Sequence, residues 1–323
     1  FGKTEYAELV HQALTLYQQG KYIESKEPWE EVLRQNSLFD YANKGLGQAY
    51  YKLEQYDEAL TAFRLGGDKD GYSSAFWEVR NIYLKDKLFY IFILLILLWI
   101  AVKIIKRLNR KYGILRPIED AIAAIKDITL VRELGFIAYV PKNPADAYYG
   151  IKNENKVSIL SSTILYILFL VIYVINKYFS GFLFKRIAEG RFELLTDIIA
   201  VLGTFALAII SHYLISSIRD GEGKLRDIYC SLAYSLVPYI ILKPIAIVLS
   251  HMLTYNEGFF ITLINIIIYA AIAVLIIIMI KEIHDYPLKE TFKNIGLTLF
   301  TMMIFVISGI IIVVLVNQVW DFV

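Results

Sequence analysis

The sequence predicts an all-α protein: a short solenoid of helical hairpins followed by a six-helix transmembrane body. Three observations carry this. Six apolar segments of about 18 to 26 residues follow position 87, and about 20 such residues cross a bilayer core as a helix. Within the first 87 residues one pattern recurs after 34 positions, the mark of stacked supersecondary units. Lys and Arg crowd alternate connections between the apolar segments, which orients a multi-pass protein.

Composition agrees. The 323 residues are 57% apolar and 20% charged, with a mean hydropathy of +0.51, greasier than an ordinary soluble domain. A net charge of +2 implies neither nucleic acid nor an acidic substrate. The single cysteine, Cys230, excludes an internal disulfide or a cysteine-based metal site. His11, His212, His251 and His284 lack the H-E-x-x-H spacing, and no phosphate-binding loop is present. No catalytic residue, metal ligand or cofactor is predicted. The chain opens on Phe1 rather than Met, so an upstream segment is expected.

Residues 1–87 read as soluble and helical, with 11 Lys/Arg against 14 Asp/Glu, whereas 88–323 carry 22 against 17. In the first part "YQQGKYIESKEPWEEVL" aligns with "YYKLEQYDEALTAFRLG": Tyr22 matches Tyr56, Ser25 matches Ala59, and Trp29 matches Phe63. "SSAFWEVRNIYLKD" looks like the first helix of a third copy, with Trp77 at the aromatic position. The pattern resembles the tetratricopeptide repeat, antiparallel helix pairs in which a small residue admits close approach and an aromatic fills the gap. The first copy departs from it, with no Trp at its start and Ser37 where proline is common. The resemblance implies a concave protein-binding face carrying Tyr17, Tyr41, Lys44, Gln48, Tyr51 and Glu78.

The apolar segments are Leu88–Ile105, Val157–Ile175, Leu194–Ile218, Ile228–Leu253, Phe259–Ile280 and Ile295–Val316. The connection 106–156 holds ten Lys/Arg. Those after the third and fifth segments add Arg219, Lys224, Arg226, Lys281, Lys289 and Lys293. The opposite side holds Lys177, Lys185, Arg186 and Arg191. Sixteen cations against four put 106–156 in the cytoplasm, with the repeats and the C-terminus outside the cell membrane. An exported N-terminus needs a signal segment. The expected divisions are 1–87 for the repeats, 88–106 for the first membrane helix, 107–150 for a cytoplasmic linker and 151–323 for five further spans.

Within 107–150, "RPIEDAIAAIKDITLVRELGFIAYV" places apolar residues at Ile118, Ile122, Ile125, Ile128/Thr129 and Leu130. That spacing predicts an amphipathic helix on the cytoplasmic membrane face with Lys126 and Arg132 toward headgroups, or a docking surface for a cytoplasmic subunit. "RDGEGKLRD" is read as a tight turn, with Gly221 and Gly223 supplying backbone freedom and Asp220 and Asp227 pairing with the cations around them. Pro238 and Pro244 are expected to bend the fourth span. Lys243 is a cation inside a span; the favoured reading is that it reaches the outer headgroups. Asp197, expected to be wet, and His212 are its nearest candidate polar partners. Glu189, Glu193 and Asp197, four residues apart, read as a solvated helix start rather than an acid site.

The blocks "NPADAYYGIKNENKVS" (143–158), "DGEGKLRDIYCSLAYSLVPYI" (220–240) and "IKEIHDYPLKETFKNIGLTL" (280–299) resemble the Yip-domain membrane family in its bacterial, repeat-coupled form. In the first block Pro144, Asp146, Tyr148 and Lys152 match the family pattern, whereas Asn143, Ala145 and Gly150 depart from it, so no role of the family's histidine carries over. The resemblance covers about 143–323. It implies a five-span membrane domain, a non-enzymatic adaptor or organiser without catalytic residues, and an accessory role at a carbohydrate ABC importer, with permease or substrate-binding subunits as partners beside membrane lipid. The competing expectation is a stand-alone transporter or channel with a polar path through Lys243, Asp197 and His212. A membrane enzyme would need convergent acids or a metal cluster, which the spans lack.

Overall fold

The structure, a computed structural model, describes residues 5–113, 115–187 and 192–321, and its regular elements there are all helical. Glu189 and Arg191 lie outside those residues. The chain divides into two compact units.

The first unit runs to Arg116 and includes Gly181–Lys185 and Leu249–Phe260. Its hairpin helices are α1 (Glu5–Gln18), α2 (Tyr22–Gln35), α3 (Asp40–Lys52) and α4 (Tyr56–Leu65). They pack in chain order, each on the next. The small and the gap-filling aromatic positions aligned 34 residues apart are buried in both copies: Ser25 with Ala59, and Trp29 with Phe63. Glycines on α3 admit the two rings. A Cβ on Gly45 would lie 2.5 Å from Trp29 Cζ2, and one on Gly47 would lie 2.7 Å from Phe63 Cδ1.

The next helix, α5 (Lys69–Tyr112), is 44 residues long, about 66 Å at 1.5 Å per residue. Gly67, at φ +63°, ends the preceding turn, and Asp68 caps α5 by accepting from Gly71 N–H at 3.1 Å. Thus the helix expected to open a third hairpin continues without a break through Leu88–Ile105. Trp77 is accordingly 45% exposed instead of filling a gap, because no second helix returns to make one.

The second unit holds α7 (Thr129–Gly135), α8 (Pro144–Asn153), α9 (Ile159–Phe179), α10 (Leu194–Ile218), α11 (Leu225–Ser235) and α14 (Leu288–Asp321), together with α6 (Arg116–Asp127) from Pro117, α12 (Val237–Ser250) as far as Val248 and α13 (Phe259–His284) from Ile261. Among the described residues six helices are long and apolar enough to cross a membrane: α5, α9, α10, α11 with α12, the stretch ending in α13, and α14. Packing pairs α9 with α11 and α10 with α14. Small residues Ser161, Ser162, Cys230, Ser231 and Ala233 are fully buried, which lets helix backbones approach where lipid offers no hydrophobic drive.

Three local expectations change. The stretch 116–140, expected as one amphipathic helix, is α6 and α7 broken at Ile128, followed by a 3-10 turn at Phe136–Ala138. The side chains of Ile118, Ile122 and Lys126 lie outside what is described. Arg132 is exposed, but Glu133 is buried, and Leu134, Phe136 and Ile137 pack on the core of the unit. Glu133 explains why: its carboxylate accepts from the backbone and hydroxyl of Ser158, the N-cap of α9, so α7 is anchored to the start of that helix.

In the turn after α10 the left-handed residue is Asp220, at φ +54°, and not a glycine. Gly221 and Gly223 serve close approach instead. A Cβ on Gly221 would sit 2.6 Å from both His284 Nδ1 and Tyr286 Oη, and one on Gly223 would sit 2.7 Å from His284 Cε1. Of the expected acid–cation pairs, Arg226–Asp227 forms at 3.3 Å, while Arg219 reaches out to Glu290. The fourth span breaks at Leu236, two residues before Pro238, where the ring would clash with the preceding helical turn. Pro244 lies inside α12.

Candidate functional site

In the first unit a cavity of about 340 Å³ opens among α1, α3, α4 and the start of α5. Tyr17, Lys44, Gln48 and Tyr51, four of the six residues the repeat pattern directs to a groove, line it. Lys44, Gln48 and Tyr51 sit at a spacing of three to four on α3, which puts them on one helix face. Phe63 floors the cavity, and Asp68, Asp70, Gly71 and Ser74 close it from α5. Lys44 Nζ pairs with Asp68 Oδ2 at 3.2 Å. Burial, with Tyr22 beside it, raises the Tyr17 hydroxyl pKa, so that phenol stays a neutral donor.

The other two predicted residues lie elsewhere. Tyr41 is half exposed and packs edge-on to Trp29, centroids 5.9 Å apart. Glu78 is half-buried and acts electrostatically on Tyr56. Sequence reasoning missed Asp68, Asp70 and Ser74. The signal was present in "GGDKDG", a helix stop followed by a cap and a new helix start.

The membrane candidates do not form one path. Lys243 is only 6% exposed, and its ammonium donates to Asn265 Oδ1 at 2.7 Å, so it is held by a neighbouring span instead of reaching headgroups. Asp197 is buried rather than wet; it pairs with Lys177 and accepts from Tyr178. Glu193 precedes α10 instead of sharing its face.

His212 belongs to a third, separate chain. The backbone N–H of Gly223 donates to His284 Nδ1 at 3.2 Å, so that nitrogen carries no proton. His284 Nε2 then donates to His212 Nε2 at 3.1 Å, leaving His212 Nδ1 to donate to Thr298 Oγ1 at 3.4 Å. Thr298 donates to Asn294, and Asn294 to Ser216 Oγ at 3.2 Å. These bonds fix both tautomers. A metal bridging the two rings would need the Nε2 position that His284 occupies with its proton.

The three sequence blocks that resemble the Yip family converge in the second unit. Tyr148 bonds Ser235 at 2.7 Å, Lys152 meets Glu222 at 2.5 Å, and Arg226 donates to the Val157 carbonyl at 2.6 Å. The second and third blocks join through Gly223 and His284. Burial raises the Tyr148 hydroxyl pKa, so the Tyr148–Ser235 bond keeps its protons. Among the described residues no group of three or more His, Cys, Asp and Glu could hold a metal ion.

No curated protein and no solved structure matches the chain. Residues 138–315 match the family model described as the Yip1 domain; that match includes the three converging blocks and covers more than half of the sequence, and the chain belongs to the Yip1-domain family.

Proposed function

We propose that the protein is a non-enzymatic membrane adaptor: its N-terminal hairpins bind a partner protein outside the cytoplasm, and its Yip1 domain holds it within a membrane complex. The observation that carries this is the cavity, where a cation, two carboxylates, two tyrosines and a glutamine share one concave surface and where four groove residues expected of a tetratricopeptide repeat meet. Aromatic and polar groups around such a surface suit an extended peptide segment. Loop charge supports the orientation. Parity adds that Gly181–Lys185 and Leu249–Phe260, after an even number of crossings, would share the side of the hairpins, whichever side that is, in keeping with their place in the same unit. The partner we propose is a subunit of a carbohydrate ABC importer, on the resemblance of the repeat-coupled architecture to proteins of that setting.

Affinity purification in mild detergent tests the reading. A protein retained by the wild type and reduced about tenfold by Tyr51→Ala or Gln48→Ala, as loss of a contact residue does, is the expected result. Recovery of the chain alone, or a companion that both variants retain fully, contradicts it. The transporter alternative gains no support, since Lys243, Asp197 and His212 each have their own partners.

A further inference from the structure

The first turns of α5 carry two sets of contacts on opposite faces. At about 100° per residue, Asp70, Gly71 and Ser74 share the side that closes the cavity. Lys69, Tyr72, Ser73 and Arg80 share the other. Lys69 Nζ donates to the Lys185 carbonyl at 2.7 Å, and the Tyr72 ring meets Phe182 at 4.8 Å. Ser73 Oγ accepts from Tyr255 N–H at 3.0 Å. Arg80 forks onto both carboxylate oxygens of Glu257, at 2.6 and 2.8 Å, and also donates to the Met252 carbonyl at 2.9 Å. A bidentate guanidinium–carboxylate pair is among the most directional polar contacts available.

We infer that α5 is a coupling element: occupancy of the hairpin cavity is transmitted, through the opposite face of this helix, to segments 181–185 and 249–260. This deepens the adaptor reading and rests on it, since it says how a bound partner is sensed. Gly71 sets the sensitivity. A Cβ there would lie 2.6 Å from Phe63 Cδ1, so the helix rests directly on the cavity floor and any shift of Phe63 moves it. The two loop segments are covalently continuous with α9, α10, α12 and α13, which gives the shift a route into four spans. Gly181 N–H in turn donates to Ser250 Oγ at 2.8 Å, tying one segment to the other. Coupling between sites is reciprocal. Loosening the loop clamp must therefore alter the cavity, and wedging the cavity must alter the loops.

Reciprocity makes the inference testable without the partner. The native Cys230 is buried, so Gln48→Cys provides a thiol that reports cavity access to maleimide in the full-length protein in nanodiscs. Adding Arg80→Met or Glu257→Gln to that variant is expected to speed labelling at position 48 several-fold; an unchanged rate overturns the coupling. In the other direction, Gly71→Ala is expected to raise amide exchange in 181–185 and 249–260 about tenfold, by lowering their local opening free energy. Should Gly71→Ala fail to fold, the Arg80 and Glu257 variants, which touch no cavity residue, still decide the matter. A partner captured by the wild type with no labelling response would leave the binding reading standing and end this one. A labelling response with no capture would do the reverse.

Discussion

Lys243 and Asn265 form a polar pair, one on α12 and the other on α13. Lys243→Met leaves the amide without its donor, and Asn265→Leu leaves a buried cation without its acceptor. Each single change should cost about 1–3 kcal/mol, whereas replacing both partners by apolar groups is nearly neutral. Thermal unfolding in detergent measures the cycle, and additive single effects would contradict the pair. The glycines of the 219–227 turn allow a sharper contrast. Gly223→Ala must displace His284 and should cost about 1–3 kcal/mol, while Gly203→Ala, with nothing within 4 Å of the added carbon, should be neutral or stabilising. Equal melting temperatures for the two would refute the close-approach role. At this scale the sequence showed that Lys243 was unusual, because a charge stands out in an apolar run. It could not show Asn265, 22 residues away on another span. Gly221 and Gly223 read as turn residues for the same reason: the ring of His284, which needs their missing Cβ, comes from far along the chain.

Helix ends were legible where a breaker marks them and illegible where none does. Gly67 and Asp68 announce the start of α5, and Gly113, at φ +62°, closes it. Between them "NIYLKDKLFY" holds no Gly or Pro, so the boundary drawn at residue 87 follows a change of polarity that the backbone ignores. The six spans were visible because hydropathy needs only a long window. The split between α6 and α7 was not, since the helical period continues across Ile128 while tertiary contacts at Glu133 decide the geometry. Glu133 gives this element its prediction. Glu133→Gln retains an acceptor for Ser158 but removes the charge at the N-terminus of α9, costing about 0.5–2 kcal/mol. Glu133→Leu removes both and should cost more. If the two variants melt together, the carboxylate does not cap α9.

For the molecule as a whole, the imbalance of loop cations and the number of apolar segments predict which connections share a side; Gly181–Lys185 and Leu249–Phe260 fall in the same compact unit as the hairpins. The cavity was half legible. The repeat pattern pointed to Tyr17, Lys44, Gln48 and Tyr51, while the acids that complete it, Asp68 and Asp70, stand at the start of α5, which the sequence marks but the repeat pattern does not assign to the groove. The convergence of the three family blocks was not legible, because nothing local pairs Tyr148 with Ser235 or Gly223 with His284. The adaptor account needs the cavity outside the cytoplasm. Its most direct test is labelling of single cysteines in intact cells by a maleimide that cannot cross membranes. Gln48→Cys should react before lysis and Arg110→Cys only after it; reaction of Arg110→Cys in intact cells, with Gln48→Cys protected until lysis, would contradict the account.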